Sequence, residues 1–156
     1  MTPLLRTVAL SLAWGIMMAF SAAWSLAVDF ERVPDGQFLT LAALYFAGAC
    51  AAVPAAIPLT SRLTNRWKRP WRFAAIATTL TAATLVFTAA LLALEHRSYF
   101  AQWHDPVFTR IWFMQQFFTA VGSTYQYAVI GTRHYLPLAP LFLLATCWVL
   151  TRKTRV

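Results

Sequence analysis

The chain has 156 residues, of which 60% are hydrophobic and only 12% are charged. An ordinary soluble domain carries about a quarter charged residues, so this composition excludes that class, together with disordered and collagen-like chains. Thirteen Lys and Arg residues against five acidic ones give a net charge of +8. Because the positive charges lie in short segments between apolar runs, we expect anionic lipid headgroups rather than nucleic acid as their partners.

Four apolar runs predict an all-α integral membrane protein, folded as one polytopic domain over residues 1–156. About 20 apolar residues cross a bilayer as a helix, and on this basis we place spans at 8–28, 38–59, 73–94 and 136–150. The first run has 21 residues. This is longer than the apolar region of a typical signal peptide, so we expect the first span to be retained.

Small residues recur every four positions along the first two spans. Such residues let helix backbones approach closely in a membrane, so these ridges are predicted to be helix–helix contacts. The residues concerned are Gly15, Ala19 and Ala23 in the first span, and Gly48 and Ala52 in the second. In the third span, threonines share one helix face and are expected to pack inside the bundle, with a hydroxyl-lined solute path as the alternative. They are Thr78, Thr81, Thr84 and Thr88.

The loop over residues 61–72 is the most basic part of the chain, with five Lys or Arg residues and no acidic one. Tryptophan beside basic residues is typical of the membrane–water interface, where it anchors topology and contacts lipid headgroups. The predicted headgroup-binding residues are Arg66, Trp67, Lys68, Arg69, Trp71 and Arg72.

The segment 111–130 has the length of a span but carries several polar residues. On a helical wheel it is amphipathic, with amides on one side and aromatic residues opposite. It can lie at the interface, re-enter the membrane, or cross with its polar face towards the bundle. Its amides need partners, because an unpaired polar group in hydrocarbon is costly. The candidate ligand- or partner-binding residues are Gln115, Thr119 and Gln126, with Thr81 and Thr84 across a shared polar cavity.

The distribution of positive charge selects between four and five crossings. If 111–130 does not cross, nine Lys and Arg residues share one side and four the other, whereas a crossing gives seven and six. The nine include Lys153 and Arg155. We therefore predict four crossings, a fifth helix at the outer face, and both termini in the cytoplasm, with five crossings as the alternative. The Ala- and Arg-rich composition indicates a bacterial inner membrane.

The residues that could carry chemistry are few. Walker A, GxGxxG, GxSxG and HExxH motifs are absent, and Cys50 and Cys147 form no CxxC pair, so we predict no cofactor and no metal site. The remaining constellation could support acid–base work at the outer end of the third span, with His134 returning near it. Its members are Glu95, His96, His104 and Asp105.

Three functions are compatible with these patterns. The first is an accessory or assembly subunit that contacts other membrane subunits or copies of itself, as the small-residue ridges, many aromatics and missing catalytic motifs suggest. The second is a homo-oligomeric carrier or channel, or a lipid-binding protein, that uses the threonine and glutamine faces. The third is a membrane enzyme that acts on a lipid-borne substrate at the outer face.

Overall fold

The computed structural model describes residues 2–152, and within that range all regular structure is helical. The helices α1, α2 and α3 each have the length and apolar composition of a membrane span. The predicted all-α membrane bundle is confirmed to this extent. Lys153 and Arg155, which contribute to the charge count, lie outside the described residues. The helices are α1 (Pro3–Val28), α2 (Gly36–Leu63), α3 (Arg69–Phe100), α4 (Arg110–Val129) and α5 (Leu138–Arg152), with short 3₁₀ turns at Ala101–Trp103 and Gly131–Tyr135.

Three helix starts have a side-chain cap. Thr2 accepts a hydrogen bond from the Leu5 backbone N–H (3.4 Å), and Asp35 accepts one from Phe38 (2.7 Å). In the same way Thr109 caps the first turn of α4. These acceptors satisfy N–H groups that have no partner within the helix. As a result α1 and α2 begin before the apolar runs that we assigned as spans.

Helix α3 is longer than predicted. The apolar run, and with it the predicted span, ends at Leu94. In the structure α3 continues to Phe100. No proline or glycine occurs until Pro106, and charged residues alone do not end a helix.

Helix α2 lies between α1 and α3 and packs along both. Gly15 faces α2, where an added Cβ atom would come within 2.9 Å of the Phe46 ring. Gly48 faces α3, where an added Cβ would lie 2.8 Å from the Thr88 backbone. The absence of a side chain at these two glycines thus sets the close approach of the three long helices. The buried core formed here includes Trp14, Met18, Ala22, Tyr45, Ala49, Ala52, Val53 and Leu80.

Helices α4 and α5 both pack against α3, one after the other along its length. Gln126, near the end of α4, lies with Leu92 of α3 around one pocket. Trp148, near the end of α5, lies with Phe73 of α3 at a crevice. Between them the 131–135 turn packs against α1, α4 and α5. We call the end of the bundle that holds the basic loop the basic end, and the opposite end, where α2 begins and α3 finishes, the distal end.

Candidate functional site

A network of buried hydroxyl groups surrounds the 131–135 turn. The Tyr127 hydroxyl donates to that of Tyr135 (3.2 Å), which donates to Thr88 Oγ1 (2.9 Å). The Tyr45 hydroxyl donates to the Gly131 carbonyl, and Ser21 donates to the Tyr135 carbonyl (2.9 Å). Carbonyl groups freed by the interruption between α4 and α5 are thus satisfied by side chains of α1 and α2. This network connects the 131–135 turn to α1, α2 and α3.

His134 belongs to this buried region. Its ring packs edge-on against Phe30 (4.9 Å between centroids) and Tyr45 (5.9 Å). Among the described residues its Nδ1 atom has no hydrogen-bond partner. The sequence predicts that His134 lies near Glu95 and His96. In the structure it does not line the pocket that these two residues line.

The distal end holds the most polar pocket described for the chain, with a volume of about 510 Å³. We call it the distal pocket. Leu41 and Leu44 of α2 and Leu92 of α3 form an apolar zone within it, and aromatic and small residues complete its wall. Because α2 starts where α3 finishes, the first turns of one helix and the last turns of the other face the same space. The polar side chains that line the pocket are Arg32, Gln37, Thr40, Glu95, His96 and Gln126.

Two opposite charges line the distal pocket. The Arg32 guanidinium donates to Gln37 Oε1 (3.2 Å), a neutral acceptor. Glu95 Oε2 lies 3.5 Å from Nδ1 of the His96 imidazole, and no Lys or Arg side chain of residues 2–152 forms an ion pair with Glu95. The same nitrogen lies closer to the Leu92 carbonyl, at 3.0 Å. Arg32 and Glu95 therefore lie at one pocket without a mutual ion pair.

A second cavity, of about 380 Å³, lies between α1, α3 and α5. Thr81 and Thr84 line it, but its wall is mostly apolar. The Trp14 indole donates to Thr84 Oγ1 (3.0 Å), and that hydroxyl donates to the Leu80 carbonyl (2.7 Å). The threonines predicted to face a polar cavity with Gln115 and Gln126 thus lie elsewhere.

The two glutamines themselves are separated, because Gln126 lines the distal pocket while Gln115 accepts from the Asp105 backbone N–H (2.9 Å). Gln116 is hydrogen-bonded to His104 Nδ1 (2.8 Å). His104 and Asp105 are therefore held against α4, whereas Glu95 and His96 face the distal pocket. The four residues predicted as one acid–base constellation form two separate pairs.

The face of α4 that packs against the bundle is shifted by about one residue from the predicted polar face. Thr119 is half-buried, but the buried side chains are Ser123 and Tyr127, which sequence reasoning missed. Gly122 is exposed and has open space around it. The outward face is aromatic and apolar, as the helical wheel indicates; it comprises Phe113, Phe117, Phe118, Val121 and Tyr125.

The predicted headgroup residues lie at the basic end, at the far end of α2 and α3 from the distal pocket. Trp67 and Trp71 are exposed, at 53% and 67%. Arg66, Lys68 and Arg69 are also exposed, while Arg72 is half-buried and its Nε atom has no partner among the described residues. A mostly apolar crevice adjoins them and contains Pro70, Phe73 and Trp148.

In the part of the chain that the structure describes, no three His, Cys, Asp or Glu side chains come together as metal ligands. Comparison with known protein families, curated proteins and solved structures finds no match to the chain. The functional argument therefore depends on the geometry of the pockets.

Proposed function

We propose that this chain is a small polytopic membrane protein that binds a lipid-like amphiphile in the distal pocket. The observation that carries this proposal is the pairing, in one pocket, of charged and amide groups with a patch of three leucines. A ligand that matches both zones has a polar headgroup and an apolar tail. Binding of this kind buries apolar surface while a few polar groups fix the orientation of the ligand.

The topology that we propose has four crossings, the last of which is formed by the 131–135 turn and α5, with α4 at the outer face. Helix α5 has 15 residues, so at 1.5 Å per residue it is about 22 Å long, less than the ~30 Å of a bilayer core. The 131–135 turn before α5 adds about 10 Å at ~2.0 Å per residue, and the two together complete a crossing. The basic end then faces the cytoplasm of a bacterial inner membrane, with both termini on that side, and the distal pocket lies at the outer leaflet.

Reporter fusions test this topology. Green fluorescent protein, which fluoresces only on the cytoplasmic side, is expected to fluoresce when fused after the C-terminus. Alkaline phosphatase, which is active only on the outer side of the inner membrane, is expected to be active when inserted at Pro106. The opposite result for the C-terminal fusion would favour five crossings.

Lipid retention tests the binding proposal. We expect protein purified in mild detergent to retain lipid, detected by native mass spectrometry. The substitution Leu44→Trp places an indole in the apolar zone and is expected to abolish most of this retention. Leu39→Trp is the matched control, because Leu39 is on the same helix but 66% exposed. Equal retention by the two variants would contradict the proposal, as would a wild-type protein that carries no lipid.

A second candidate function, an accessory subunit of a membrane complex, is favoured by the outward face of α4. Phe113, Phe117 and Phe118 are each more than half exposed on a helix that buries only Ser123 and Tyr127. Exposed aromatic residues suit a partner helix or a second copy as well as lipid. Purification from native membranes with a stoichiometric partner, lost in a Phe117→Ala/Phe118→Ala variant that still inserts, would support this function.

The same geometry reduces the number of candidate catalytic residues for the third alternative, a membrane enzyme. Within the predicted constellation, Glu95 and His96 are the members that line the distal pocket. An activity on a bound lipid would use these two groups, while substitution of His104 would alter the connection between α3 and α4.

A further inference from the structure

We infer that the amphiphile bound in the distal pocket has a zwitterionic headgroup, with a phosphate and an ammonium group, rather than a net anionic or uncharged one. This inference rests on the proposed lipid-binding function and specifies the class of ligand. It is drawn from the two opposite charges, Arg32 and Glu95, at one pocket.

Arg32 is placed to bind the phosphate. It precedes α2 and lines the pocket with Gln37, whose side chain is its hydrogen-bond partner. A guanidinium group has five N–H donors, so one bond to a neutral amide leaves most of them available. No carboxylate of residues 2–152 forms an ion pair with Arg32. Phosphate oxygens are the acceptors that guanidinium binds best, often through two parallel bonds.

Glu95 is placed to bind the ammonium group. It lies in the last turns of α3, and its Oε2 atom lies 3.5 Å from Nδ1 of the His96 imidazole. The nearby amide of Gln126 and the hydroxyl of Thr40 add neutral acceptors. An ammonium group favours a carboxylate with further acceptors around it.

Other headgroup classes fit less well. A headgroup with a phosphate but no cation can still bind Arg32, but it leaves Glu95 without an ammonium partner and adds a negative charge near that carboxylate. An uncharged headgroup, as in diacylglycerol, offers neither a phosphate for Arg32 nor an ammonium group for Glu95. In each case the apolar tail can still contact Leu41, Leu44 and Leu92, so the headgroup alone determines the difference in affinity.

The experiment compares lipid retention from bilayer nanodiscs that contain equal amounts of phosphatidylethanolamine, phosphatidylcholine, phosphatidylglycerol and diacylglycerol with the same acyl chains. After transfer to mild detergent, native mass spectrometry measures the lipids that remain on the protein. We expect wild-type protein to retain the zwitterionic lipids about fivefold over phosphatidylglycerol, the effect of a partly exposed ion pair. A preference for ethanolamine over choline would show that Glu95 binds a hydrogen-bonding ammonium rather than a quaternary one.

Three variants assign the effect to the two charges. Glu95→Gln is expected to bring the ratio of retained phosphatidylethanolamine to retained phosphatidylglycerol close to one. Arg32→Gln is expected to lower the retention of all three phospholipids. Arg97→Gln is the control, since Arg97 is exposed on the same turn of α3 but does not line the pocket. Circular dichroism and gel filtration verify that each variant is folded. If one of the two pocket variants does not fold, the other still tests the inference.

The outcomes separate this inference from the proposed function. Retention of phosphatidylglycerol or diacylglycerol equal to that of zwitterionic lipids would overturn the inference and leave lipid binding intact. The same loss of selectivity in Arg97→Gln would also overturn it, because surface charge in general would then explain the effect. Wild-type protein without any retained lipid would overturn both.

Discussion

A methyl group added at Gly48 tests whether close approach of α2 and α3 stabilises the bundle. The new Cβ atom would meet Thr88 Oγ1 and would lie 2.8 Å from the Thr88 backbone N and Cα atoms. To reach an ordinary contact of 3.4 Å, the two helices must move apart by about 0.6 Å, and overpacking of this kind costs about 1–3 kcal/mol. Thr88 also accepts from the Tyr135 hydroxyl, a bond worth about 0.6–1.7 kcal/mol in a membrane protein. We therefore expect Gly48→Ala to lower the free energy of unfolding by about 2–4 kcal/mol.

The assay is unfolding by sodium dodecyl sulfate in mixed micelles, followed by circular dichroism. Gly122→Ala is the matched control, because Gly122 is also helical but has nothing within 4 Å of an added Cβ. Its substitution is expected to leave stability unchanged or to raise it by up to about 1 kcal/mol through helix propensity. The reasoning is refuted if Gly48→Ala unfolds at the same detergent fraction as Gly122→Ala.

Three further substitutions examine individual contacts. Tyr135→Phe removes the bonds to Thr88 and Tyr127 and is expected to cost about 1–2 kcal/mol in the same unfolding assay, while Tyr125→Phe, at an exposed site, should have no effect. Gln116→Leu removes the bond to His104 and should speed amide hydrogen exchange in residues 101–109; unchanged exchange would contradict a role of this bond in ordering the connection. Phe108 has a φ angle of 68°, so Phe108→Gly is expected to raise stability by about 1 kcal/mol through relief of backbone strain, and a lower stability would show that its ring contact with Trp112 outweighs that strain.

The three long helices follow from the sequence because each apolar run is long enough to cross a bilayer, but their ends do not. Hydropathy reports which solvent a segment prefers, whereas a helix ends where capping and breaking residues dictate. Thr2 and Asp35 extend α1 and α2 at their starts, and the lack of a breaker before Pro106 extends α3. Periodicity also separates the two faces of α4, since Phe113 and Phe117 are exposed.

The distal pocket could be predicted only in part. Arg32 and Glu95 occupy polar stretches that any antiparallel arrangement of α2 and α3 brings to one end of the bundle. Which side chains share a pocket depends on the rotation of each helix about its axis, and the threonine and glutamine patterns do not determine this rotation. Arg32 and Gln37 had no distinguishing pattern in the sequence, and only the position of Arg32 beside the start of α2 could have drawn attention to it.

The interruption between α4 and α5 has a consequence for biogenesis. The hydroxyl groups that bind its carbonyls come from Tyr45 and Ser21, which precede their acceptors by 86 and 114 positions. A ribosome therefore delivers the donors long before the acceptors. Backbone groups without partners are costly in lipid, and the donors for these carbonyls are synthesised before the segment from α4 onward. The first three helices, which have the length and hydropathy of membrane spans, therefore supply the hydroxyl donors for the turn between α4 and α5.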